Sequence, residues 1–87
     1  MRTPRQHTLD RATIKSLMDA LGFLVPATAL HDAISVKAGH LQPTVAEQAE
    51  AILHAERTGR ISGLTTETGI KYSLTESGES WAIQNRL

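Results

Sequence analysis

The side chains able to do chemistry are few, and their spacing limits what they can do. The four histidines, His7, His31, His40 and His54, never pair at i, i+3 or i, i+4. No cysteine supports them, so no metal site is expected. His31 and Asp32 are adjacent, which invites an acid–base reading, yet neighbouring residues on a helix point to different faces. No G-x-S-x-G elbow, phosphate-binding loop or dinucleotide fingerprint is present. Neither catalysis nor a cofactor is therefore expected, and charge is the chemistry that remains. Nine Lys and Arg balance nine Asp and Glu, so no bulk attraction to a polyanion is announced. Their placement is uneven. Residues 1–41 hold Arg2, Arg5, Arg11, Lys15 and Lys37 against three Asp, whereas residues 42–87 hold four bases against six Glu. A flexible basic arm over residues 1–8 can follow phosphates or a minor groove. A basic N-terminus can equally be inert.

The chain that must position these groups is 87 residues and 9.5 kDa, one small domain over residues 9–87 after the arm. With 40% hydrophobic and 21% charged residues, its composition is that of an ordinary folded protein. A domain of this size buries roughly 60–65% of its unfolded-chain surface and folds without much stability to spare. Without cysteine there are no disulfides and no thiolate nucleophile. The N-terminus lacks the apolar core of a signal peptide. The longest apolar stretch, Phe23 to Ala27, is far short of the ~20 residues that span a bilayer. A soluble cytoplasmic protein with no membrane partner is expected.

Hydrophobic periodicity predicts a first helix over residues 9–21, with Thr8 as N-cap, Ile14, Leu17, Met18 and Leu21 as its buried stripe and Gly22 as its exit. Phe23, Leu24 and Val25 form a short apolar connection assigned to the core. A second helix follows from Ala27 or Thr28 to Ala38, with Pro26 at its start and Gly39 at its close. A third spans residues 44–58, where Thr44 and Glu47 have capping-box spacing. Its inward face is read as Val45, Ala49, Ile52, Leu53 and the stem of Glu56. After Gly59 the period changes to two. Residues 60–64 and 70–74 read as antiparallel strands joined by the polar loop Thr65–Gly69, with Ile70, Tyr72 and Leu74 inward and Lys71 and Ser73 outward. The tail can form a last helix carrying Trp81, Ile83 and Leu87. The expected class is therefore mainly α with a small β-hairpin (α+β).

The order helix, helix, helix, hairpin, helix resembles a winged helix-turn-helix domain. The segment Ala55-Glu56-Arg57-Thr58-Gly59-Arg60-Ile61 looks like the helix end and first wing strand of that superfamily. Tyr72-Ser73-Leu74-Thr75-Glu76-Ser77-Gly78 is similar to the Y-x-L-T-x-x-G closing segment of MarR- and PadR-like transcriptional regulators. The resemblance covers roughly Thr28 to Trp81. The chain lacks the long extra helices through which full MarR-type proteins dimerise.

The resemblance implies that helix three enters the major groove of double-stranded DNA while the hairpin touches backbone or minor groove. On that mapping Gln42, Thr44, Glu47, Gln48, Ala51, His54 and Ala55 are exposed. Gln48 can pair bidentately with adenine, Thr44 can hold a phosphate, and Glu47 can accept from cytosine. Arg2, Arg5 and Lys15 from the basic N-terminal segment supply phosphate contacts, as do Arg60, Thr66 and Lys71 from the wing. Glu47 and Glu50 oppose this reading, because each faces a polyanion. A solvated helix face explains the same residues. Trp81 is read as a packing anchor against helix one or a dimer contact, since aromatics at 3% provide no stacking platform for single strands. Two function classes follow. One is a homodimeric transcriptional regulator that reads duplex DNA. The other is a winged-helix adaptor that binds a protein partner through an acidic helix-three face. In either case Ile14, Leu17, Leu21, Leu30, Ile34, Ile52, Leu53, Ile61, Tyr72 and Leu74 are expected to form the core.

Overall fold

A computed structural model describes all 87 residues. Helix α1 spans Pro4–Asp19, strand β1 Val25–Pro26, helix α2 Ala27–Lys37, helix α3 Val45–Arg57, strands β2 Ile61–Thr66 and β3 Gly69–Leu74, and helix α4 Glu76–Gln84, with a 3-10 turn at Gly39–Leu41 between α2 and α3. The α+β class expected from the sequence is the class found. The strands form one antiparallel sheet in the order β1-β3-β2. α1 packs against α2, α3, α4 and β3, so it is the centre of the fold.

α1 begins at Pro4, so residues 4–8 are its first turns rather than an arm. The start signal is Thr3-Pro4-Arg5-Gln6. The Thr3 hydroxyl accepts from the Gln6 backbone N–H, the Gln6 side chain accepts from the Thr3 N–H, and Pro occupies the first turn, where its missing N–H costs nothing. Thr8, the expected cap, lies inside the helix and donates to the Pro4 carbonyl. The buried stripe is wider than its aliphatic residues indicate. Thr13 and Ser16 are buried beside Leu9, Ile14 and Leu17, and their hydroxyls donate to the carbonyls of Leu9 and Ala12. Leu21 falls beyond the helix end at Asp19 and is 51% exposed.

The connection after α1 is not core. Phe23 is 75% exposed, whereas Val25 turns inward and pairs with Tyr72 as β1. A two-residue strand carries no periodicity of its own. α2 matches its expected bounds and buries Leu30 and Ile34.

α3 has the expected cap. Thr44 and Glu47 form a reciprocal capping box. Its phase differs from the expected one by about a quarter turn at 3.6 residues per turn. The buried residues are Gln48, Ala51, Ile52 and Ala55, while Val45 is 73% and Leu53 44% exposed. Small residues face inward because α3 crosses α1 and α2, whose Leu9, Leu17, Leu30 and Ile34 already fill the space. Leucines on both sides would overpack it.

The hairpin is longer than expected. Pairing runs from Ile61↔Leu74 to Thr66↔Gly69, which leaves Glu67-Thr68 as a two-residue loop. Gly69 at φ 121° supplies backbone that only glycine adopts easily. Ile61 and Tyr72 are buried and Leu74 is half-buried, while Ile70 shares their face near the exposed tip. Thr75 then caps α4, accepting from the Gly78 N–H and donating to the Gly59 carbonyl. Trp81 closes α4 onto α1, with the Arg60 guanidinium 4.6 Å above its ring and His7 edge-on at 6.2 Å.

Candidate functional site

The charges at the N-terminal end of α1 are committed to α3. Arg2 donates to both oxygens of Glu50 at 2.7 and 2.9 Å and to Asp10 at 2.6 and 3.0 Å. Asp10 is buried in α1, so Arg2 is the counter-ion that allows a carboxylate there. Arg5 forks onto Glu47 at 2.5 and 3.0 Å and also donates to the Leu41 carbonyl. The Arg5 guanidinium and then the Thr44 backbone N–H hold the Glu47 carboxyl at about 2. Hydrogen bonds from Arg2 likewise lower Glu50, while the two carboxylates and the α3 glutamate Glu47 raise their arginine partners. Lys15 pairs with Asp19, which Lys37 also contacts at 2.6 Å, and the two lysines lower the Asp19 carboxyl. Basic segment and acidic helix face therefore neutralise each other.

The remaining sequence-predicted residues are scattered. Gln48 is 4% exposed, not surface-facing. Its Oε1 accepts from Nδ1 of His31 at 2.8 Å, and its amide nitrogen donates to the Ser35 hydroxyl at 2.8 Å and weakly to the Pro43 carbonyl. It ties α2 to α3 and has no free edge for a base. Thr44 spends its hydroxyl on the α3 cap. Thr66 donates to the Gly69 carbonyl inside the hairpin turn. Arg60 stacks on Trp81. Lys71 makes no ion pair, and neither do Arg11, Arg57, Arg60 and Arg86. Ala51 and Ala55, expected outside, are buried. No group of three or more His, Asp or Glu residues is arranged to hold a metal ion. No helix is long and apolar enough to cross a membrane.

The open face of α3 is what the inward pattern leaves behind. It presents Val45, Ala46, Ala49 and Leu53, edged by Glu50 near the N-terminal half and Arg57 near the C-terminal end. An apolar side chain held in water on a regular helix costs free energy that burial against a partner would recover, at roughly 25 cal/mol per Å². Sequence reasoning missed this surface because Val45, Ala49 and Leu53 were assigned to the core. The available signal was the pair Ala51 and Ala55, small residues one turn apart that suit close helix crossing. A second apolar feature, a cavity of ≈ 240 Å³ lined by Leu17, Leu21, Phe23, Leu24 and Leu74, opens between the end of α1 and β3. Comparison with protein-family models, curated protein sequences and solved structures finds no match.

Proposed function

We propose that the chain is a winged-helix protein-interaction module that docks through the open face of α3. The order helix, strand, helix, helix, hairpin, helix supports the winged-helix reading, as does a sheet in which the first strand pairs with the last, β1-β3-β2. In that fold the side chains available to enter a groove are those on the solvent side of the third helix. Here they are Val45, Ala46, Ala49, Glu50, Leu53, Glu56 and Arg57. This is the observation that carries the reading. The four that run along its middle, Val45, Ala46, Ala49 and Leu53, have no hydrogen-bonding group, and base edges are discriminated by donors and acceptors. Glu50 is engaged by Arg2, and Glu56 and Arg57 stand at the C-terminal end. An apolar helix face rimmed by charge is instead the usual anatomy of a protein contact.

Contact with duplex DNA as a transcriptional regulator is a second reading, favoured by Lys71. It makes no ion pair, and it lines an open groove with Thr28 and Thr68 between the hairpin tip and α2. The test is a titration of labelled mixed-sequence duplex at low and physiological salt. The docking reading expects no sequence preference and no effect of Leu53→Ser on any residual binding. Salt-sensitive binding that Lys71→Ala weakens and that discriminates among sequences would establish the DNA reading instead.

A further inference from the structure

The open face of α3 carries its own complement. Glu50, Leu53 and Arg57 follow one another at spacings of three and four, so they share one side of the helix, and all three are exposed. Leu53 lies midway between an acid and a base. If two copies of such a helix are laid antiparallel with Leu53 on the two-fold axis, Glu50 of each copy comes opposite Arg57 of the other. In antiparallel pairs each flank also meets the same flank of its partner, so both ion pairs form on one side. A parallel arrangement sets that charged flank against the opposite flank, where Ile52 and Gln48 turn into the core and the exposed Glu56 can meet Arg57, but Glu50 meets no base. Ala49, one turn from Leu53, lets the backbones approach closely. Arg57 has no ion-pair partner within its own chain. Glu50, although held by Arg2, keeps a side chain that is 46% exposed.

Resting on the docking reading above, we infer that the partner of α3 is a second copy of this chain, packed antiparallel about Leu53. The contact is isologous, so it closes as a dimer and does not propagate. The overlap from Ala49 to Arg57 is about 12 Å of helix at roughly 1.5 Å per residue. That is less than the roughly 1,200 Å² of a stable complex requires, so the dimer is weak and forms at high protein concentration.

Because the chain has no cysteine, engineered thiols report its geometry without background. Under oxidised glutathione, Leu53→Cys should cross-link to itself at least about tenfold faster than Val36→Cys, a control on the exposed side of α2, while Ala46→Cys should match the control. Sedimentation equilibrium, over concentrations that resolve dissociation constants from about 1 µM to about 1 mM, should show a dimer. Arg57→Glu and Glu50→Arg should each weaken it about tenfold, and mixing the two variants should restore it. Circular dichroism checks that Glu50→Arg, which frees Arg2, remains folded. If it does not, the Arg57→Glu and thiol results still decide. Self-cross-linking of Ala46→Cys at the rate of Leu53→Cys, a Leu53→Cys rate equal to the control, or a dimer indifferent to Arg57→Glu would each overturn the inference. A monomer that also ignores duplex loses only its self-partner. Sequence-selective duplex binding would remove the docking reading itself, whatever the oligomeric state.

Discussion

A methyl group on Gly78 would lie 2.0 Å from the Arg60 carbonyl oxygen and 2.7 Å from Leu74. Backbone cannot give way as a flexible side chain can, so the first turn of α4 would have to move off the hairpin. Gly78→Ala should therefore lower unfolding free energy by about 3 kcal/mol, read as a shifted urea midpoint, and an unchanged midpoint would contradict the close approach. This gives a physical meaning to the Thr75-Glu76-Ser77-Gly78 segment recognised in the sequence. The threonine caps the helix and the glycine lets it approach. The role of Arg2 was less legible. Its sequence context shows a basic terminus, while its partner Asp10 is identified only by the fold. Arg2→Ala leaves that carboxylate buried without its counter-ion and should cost about 2–3 kcal/mol, whereas Arg5→Ala, which breaks a surface pair, should cost no more than about 1 kcal/mol. Equal losses would mean that Asp10 is solvated.

At the scale of elements, the sequence is readable wherever one face is apolar and the other polar. The second hairpin strand alternates cleanly, α2 has Pro and Gly at its ends, and α3 has its capping box, so these elements stand where expected apart from the longer hairpin pairing. α3 is the exception in phase, because it carries large apolar residues outside and a glutamine inside. Periodicity assumes that burial follows hydrophobicity. Here it follows the space that α1 and α2 leave, which admits Ile52, two alanines and a glutamine whose hydrogen bonds His31 and Ser35 complete. Adjacent substitutions separate the two phases. Ile52→Ala should cost about 2–4 kcal/mol in chemical denaturation, and Leu53→Ala no more than about 0.5 kcal/mol. The reverse order would restore the phase read from the sequence. The candidate site was illegible for the same reason, since Val45, Ala49 and Leu53 within it are residues that periodicity placed in the core.

Across the whole molecule, charge works as internal wiring between elements. Arg2 and Arg5 join α1 to α3, and Asp19 joins α1 to α2 through Lys37. The folded Glu47 carboxyl titrates at about 2 against an ordinary 4.5, and Glu50 and Asp19 are lowered in the same direction. A carboxylate depressed in the folded state stabilises it fully above the ordinary value, and that contribution disappears as pH falls towards the folded value. Thermal midpoints should therefore be level above about pH 5 and fall as pH drops from 4.5 towards 2. Glu47→Gln should shallow that fall, and an identical profile in the variant would show that the Arg5 pair does not couple to folding. The same wiring constrains how the sequence can drift. A substitution at Arg5 strands Glu47, and one at Glu50 strands an arginine already bound to a buried aspartate, so single changes are penalised where paired changes are not. Among descendants of this chain, positions 5 and 47 should change together, while 2, 10 and 50 should be kept or lost as a trio.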